Sequence, residues 1–119
     1  MEKINLTQKF NLFSEHWTPK VLGELNGQYL KIAKVKGEFV WHDHAKEDEL
    51  FMVIKGQLNI QLKDKTVVLN EGEIYIVPKG IRHKPFAEEE CWILLLEPKQ
   101  TKHTGEVEAE LTVKENEWI

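Results

Sequence analysis

Along most of the chain, apolar and polar residues alternate in short runs bounded by glycine or proline. Leu58, Ile60 and Leu62 take turns with Asn59, Gln61 and Lys63, the period of two expected of a strand with one face on a core and one in solvent. Tyr29 to Val35, Phe39 to His44, Val67 to Leu69, Ile74 to Val77 and Trp92 to Leu96 are further β-rich runs. Leu50 to Ile54 is almost continuously apolar, as in a strand covered on both faces. Gly37, Gly56, Gly72, Pro78 and Gly80 supply the turns between these runs. Roughly seven or eight short strands without intervening helices predict an all-β sandwich or barrel.

One segment follows another rhythm. Leu6, Phe10, Phe13 and Trp17 recur at steps of four, three and four, which is helical spacing. This predicts a short amphipathic helix over residues 5–17, capped by Asn5 and ended by Pro19. The barrel core is then expected at about residues 29–97, the period-two region. The tail, residues 98–119, is acidic from Gly105 onward and carries Leu111, Val113 and Trp118. It is expected to pack across the barrel or onto a partner chain. The whole of residues 1–119 reads as one domain.

Composition narrows the function classes. A formal net charge of −4 argues against nucleic acid, which calls for a concentrated basic patch. The lysines between Lys31 and Lys36 and between Lys63 and Lys65 read as solvated strand faces. No apolar stretch approaches the length of a membrane span, and residues 1–10 lack a signal-peptide core. Cys91 is the single cysteine, so no internal disulfide forms. A lone thiol fits a reducing compartment, and the cytoplasm is the expected location. The acidic run Glu88 to Glu90 before Cys91 disfavours a thiolate, so Cys91 reads as a small core residue.

The candidate chemistry lies in four residues. His42 and His44 are two apart, so on a strand both imidazoles face one side. Glu49 follows after a short loop and begins the apolar run Leu50 to Ile54. His83 follows the Pro78–Gly80 turn by three residues and can arrive as a fourth donor from another strand. Three neutral imidazoles and a carboxylate suit one divalent transition metal: Fe, Mn, Ni, Zn, Co or Cu. A closed structural zinc site would more often be rich in cysteine. Four protein donors on an octahedral ion leave two positions open for water, oxygen or a substrate. Val40, Phe51 and Val53 share parity with the donors and are expected to line the pocket. Arg82, beside His83, is expected at its rim, where a guanidinium could hold an anionic group but is better read as forming a rim salt bridge. Glu47 is an alternative carboxylate, better read as a solvated loop charge, as is Asp48. His16 and His103 read as exposed histidines. No separate catalytic base stands out.

The segment from Gly37 through His42, His44 and Glu49 to Gly56 resembles the first motif of the cupin superfamily. Gly72, Pro78, Gly80 and His83 resemble the second. In that superfamily the two histidines and glutamate of the first motif, with the histidine of the second, hold a metal inside a small antiparallel β-barrel, or jelly roll. Neither spacing that the family pattern allows before its glutamate falls on Glu47. Two departures occur: the gap between Gly37 and His42 is one residue short, and Ala87 replaces an asparagine that often closes the second motif. Neither touches a donor. The tail from Glu97 and Pro98 to Gly105 is similar to that of small bacterial cupins of uncharacterised activity. The resemblance implies a small-molecule ligand or substrate and a homodimer, with Trp118, Trp92 and the N-terminal stripe as interface material. It leaves two functions open. One is a metal-dependent enzyme on a small polar metabolite, of dioxygenase or sugar-phosphate isomerase type. The other is a non-catalytic barrel that binds or senses a small ligand around a structural metal.

Overall fold

The computed structural model describes residues 2–105 and 116–119. The chain begins with helix α1 (Leu6–Phe10), continues through β1 (Lys20–Leu25), β2 (Gln28–Glu38), β3 (Glu49–Lys55), β4 (Leu58–Gln61), β5 (Thr66–Leu69), β6 (Ile74–Val77) and β7 (Lys84–Pro98), and ends in β8 (Glu117–Trp118). The fold is mostly β, an antiparallel barrel with one short helix. Strands are hydrogen-bonded in the order β5-β4-β7-β2-β1-β8, and β3 joins β7 to β6. The long β7 organises this arrangement. It lies along β2 for most of its length, while its start pairs with β4 and its end with β3.

Side-chain alternation sorts the residues into two apolar clusters. The inner one includes Ala33, Val35, Phe51, Val53, Leu58, Ile60, Val77, Ile93 and Leu95. The outer one forms where the N-terminal segment crosses the back of the sheet: Phe10, Phe13, Leu22 and Ile32, with Ile54, Trp92 and Leu94 against them. Among the described residues no helix is long and apolar enough to cross a membrane.

Several expectations change. The helix ends at Phe10, not at Trp17. Asn5 caps it, its side chain accepting from Gln8 N at 3.0 Å, but five residues give little helical stability of their own. Phe10 and Phe13 belong to the outer cluster, whereas Trp17 belongs to the inner one. A continuous helix would keep all three on one stripe. The chain instead extends alongside β2, Trp17 N donating to Lys34 O at 2.9 Å. Trp17 adopts φ 57°, and its Nε1 donates to Lys36 O at 2.9 Å. The expected interface material is also partly used up. Trp92 stacks on Phe10 with ring centroids 4.6 Å apart, so that stripe packs within the chain.

The sheet exceeds the expected limits of 29–97, because β1 and β8 add to its edge. Two lysines of β2 do not lie on a solvated face: Lys31 and Lys34 are buried, whereas Lys36 is exposed. Lys34 Nζ reaches Phe13 O at 2.7 Å and lies over the Phe13 and Trp92 rings. β3 is covered fully on one face only, with Leu50, Met52 and Ile54 half-buried outside. Trp118 in the expected tail meets Tyr29 edge-on at 5.3 Å. Leu111 and Val113 lie outside the described residues.

Candidate metal centre

β2 ends at Glu38, and the run Phe39 to His44, expected as a strand, forms no continuous ladder. It is tied to the sheet by a bond from Phe39 N to Pro85 O at 2.9 Å and by one antiparallel bridge, His42 with His83. Each of these histidines donates its backbone N–H to the other's carbonyl, at 3.0 and 2.9 Å. The bridge depends on the turn before His83. Ile81 N bonds to Pro78 O at 3.2 Å, and Gly80 at the third position has φ 81°, the conformation a type II turn demands. Gly80 N then donates to His44 O at 2.8 Å. One turn thus fastens the second motif to the first at both histidines.

The bridge brings the imidazoles together, with His42 and His83 ring centroids 4.2 Å apart and His42 and His44 5.0 Å. Glu49, first residue of β3, points inward in phase with Phe51 and Val53. His42, His44, Glu49 and His83 are all buried, and one donor atom from each lies within 4.8 Å of the others. Glu49 Oε1 is 3.2 Å from His44 Nε2 and 3.4 Å from His83 Nε2. Metal bonds of about 2.1 Å meeting at right angles span an edge of about 3 Å between donors.

These atoms do not satisfy one another. Despite their closeness, Glu49 Oε1, His44 Nε2 and His83 Nε2 have no well-directed hydrogen bond. Buried polar atoms seldom remain so. The other imidazole nitrogens explain what the cluster suits. His42 Nδ1 contacts Val40 O at 2.9 Å, and His83 Nδ1 contacts Ile81 O at 2.9 Å. A carbonyl only accepts, so each Nδ1 carries the proton and each Nε2 turns a lone pair inward. The four residues therefore fit a divalent ion, and they could hold one.

Charge follows the same pattern. Burial pushes His42 down to about 4, with His83 adding to the effect. Burial alone would raise the Glu49 carboxyl, but contacts with His44, His83 and Glu97 hold it well below the usual range. Glu97 goes the other way, raised well above its usual value by burial and by the Glu49 charge. In the metal-free protein His42 therefore takes up a proton far more readily unfolded than folded. Its contribution to stability is present above about pH 6.5 and is lost as the pH falls toward about 4. Lowering the pH through this window should cost the metal-free protein on the order of 3 kcal/mol from His42 alone. Thermal melts of wild type and His42→Gln across the window check this, the wild type showing the steeper acid loss.

A cavity with about 30 Å³ of free room, enough for one or two waters, opens beside His42 and Glu49. Its wall is apolar and aromatic: Trp17, Ala33, Val35, Phe39, Phe51, Ile93 and Leu95 contribute to it. Of the expected pocket residues, Phe51 lines this cavity. Val53 is buried in the inner cluster and Val40 packs partly against it. Arg82 does not reach the cavity: it is exposed and its guanidinium sits over Trp41, because it has the parity opposite to His83. Glu47 stays in the loop, and Asp48 accepts from Lys79 N at 2.9 Å. His16 pairs with Glu90 at the surface. Cys91 is a buried core residue, its thiol pushed up to about 12 mainly by burial.

His103 corrects the sequence reading most. It is 9% exposed, lines the cavity and lies 5.3 Å from the Phe39 ring. It gets there because the chain turns back after β7. Thr101 N bonds to Pro98 O and Gly105 N to Lys102 O, both at 2.9 Å. Gly105 then packs so closely on Asp43 that a Cβ would collide with the Asp43 carbonyl. A buried glycine-tethered return has no periodicity, so only Gly105 itself was available as a sequence signal.

The family model for the cupin domain matches residues 29–104. An uncharacterised protein, YdbB, from Bacillus subtilis is 37% identical over 82 residues, covering 68% of this chain and 73% of its own. A cupin-2 domain protein from Shewanella frigidimarina, solved as a crystal structure, is 50% identical with a TM-score of 0.80, over 81% of this chain and 94% of that one. The crystal structure of protein NMB1881 from Neisseria meningitidis is 29% identical with a TM-score of 0.75, over 82% of this chain and all of that one. With its buried histidines and glutamate arranged inside a small antiparallel barrel, the chain belongs to the cupin family.

Proposed function

We propose that the chain is a metal-dependent enzyme whose substrate has an apolar body and an oxygen donor, with chemistry of the dioxygenase type. The observation that carries this is the wall beside His42 and Glu49. The described residues lining it are apolar or aromatic apart from His42, Glu49 and His103. A sugar phosphate would bring about two negative charges to a cavity wall that has no lysine or arginine among the described residues. Burying such charge unpaired is costly. Arg82 points elsewhere, and Lys31 is bonded to Glu97.

His42, His44, Glu49 and His83 would hold the ion. When bound, the ion supplies a Lewis acid that polarises a coordinated oxygen. Trp17, Phe39 and Phe51 exclude water and contact the apolar body. His103 lines the cavity wall together with the proposed ligands His42 and Glu49. It is the residue placed to give or take a proton at a bound substrate. A substrate larger than a couple of waters enters by displacing side chains at the mouth.

Oxygen uptake by protein loaded with Fe(II), then Mn(II), tests this against a panel of catechols, phenols and diketones, with sugar-phosphate isomerisation assayed alongside. The expected result is turnover of an apolar oxygen donor, lost in His42→Ala. Isomerisation of a sugar phosphate without turnover of the panel would overturn it. Tight binding of a panel member that returns unchanged would favour the ligand-sensing alternative.

A further inference from the structure

Next to Glu49 the barrel contains two more buried ionisable side chains, Lys31 and Glu97. Leu50 is opposite Leu96 in the β3–β7 ladder, so the next residues, Glu49 and Glu97, face each other at the strand ends. Both point inward. Lys31 reaches in from β2 and places Nζ 3.0 Å from Glu97 Oε1. Lys31 and Glu97 are 2% and 0% exposed. The register sets the carboxyls of Glu97 and Glu49 side by side, close enough that each shifts the other's protonation, and Glu97 Oε2 is buried with no hydrogen-bond partner.

Such a pair needs a reason. Its inward neighbours on the same strands are Ala33, Val35, Ile93 and Leu95, and apolar residues would fill these positions without the desolvation cost of a buried lysine–glutamate pair. A glutamate ligand with one oxygen toward His44 and His83 is otherwise free to rotate about its last bond. A contact with Glu97, itself held by Lys31, would remove that freedom.

We propose that Glu97, anchored by Lys31, is the positioning residue of the metal centre, orienting the Glu49 carboxylate so that Oε1 faces His44 and His83. This rests on the proposed metal reading and extends the centre by two residues. Outer partners of this kind typically change metal affinity by roughly 10–100-fold.

The test compares wild type with the double variant Lys31→Met/Glu97→Met, which removes the pair without leaving a lone charge. Co(II) affinity is read by chelator competition, coordination from the visible d–d bands, and folding from the thermal melt. The double variant is expected to melt at or above wild type, yet to bind Co(II) roughly 10–100-fold more weakly with altered bands. Glu97→Gln can accept from Lys31 and donate to Glu49, and should restore most of the affinity. A purely structural pair would leave affinity and bands unchanged in the double variant, and that result overturns the proposal. Should the double variant not fold, Glu97→Asp, which keeps the Lys31 partner but withdraws the carboxyl from Glu49, decides in the same way. Wild type that binds no Co(II) would overturn the metal reading together with this one. Wild type that binds while the variants are indifferent overturns this one alone.

Discussion

Replacing His83 by alanine should weaken metal binding by more than about 100-fold, beyond the range of outer-shell partners, while leaving the protein folded. The side chain is fully buried, and its Nε2 joins the donor cluster. Yet its backbone, not its ring, makes the bridge to His42, so the two motifs stay fastened in the variant. The loss should appear in chelator competition with Co(II) or Zn(II), with the far-ultraviolet spectrum unchanged. Affinity within a few-fold of wild type would remove His83 from the ligand set and leave a weaker three-donor site.

Phe10→Ala should have the converse effect, costing about 3–5 kcal/mol of stability. Phe10 is fully buried, stacked on Trp92 and next to Phe13, with ring centroids 4.6 and 6.1 Å away. It is the plug between the N-terminal segment and the back of the barrel. A loss of that size should lower the melting temperature by at least 10 °C or so. The metal centre, on the other side of the sheet, should keep its affinity once the protein is folded. A melting temperature within a degree or two of wild type would mean that the segment is not part of the cooperative fold.

The four donors were readable in the sequence because their types and order survive any detail of backbone. Strand parity predicted that His42 and His44 share a face. They do converge, but through a bridge and a glycine turn, not through the strand expected at Phe39 to His44. Local pattern reached its limit wherever burial is decided by a distant segment. Lys31 and Lys34 alternate like solvated residues, yet the N-terminal segment covers one face of β2 and the barrel interior the other. Glu97 looked like the end of a strand, and only the β3–β7 register puts it against Glu49. The first half of β7 was obscured by Glu88 to Glu90, three exposed acidic residues of the strand that fall at the register shift between the Cys91 and Ala87 pairings with β2. His103 was misread for a related reason: its position depends on the turn after Pro98 and the contact of Gly105 with Asp43.

The central claim, a metal held by His42, His44, Glu49 and His83, is tested most directly by metal analysis of the wild-type protein purified without chelators and then titrated with Fe(II), Mn(II), Co(II) and Zn(II). The expected result is close to one divalent ion per chain, bound through nitrogen and oxygen donors in X-ray absorption. Protein that carries no ion and takes up none of the four would contradict the account.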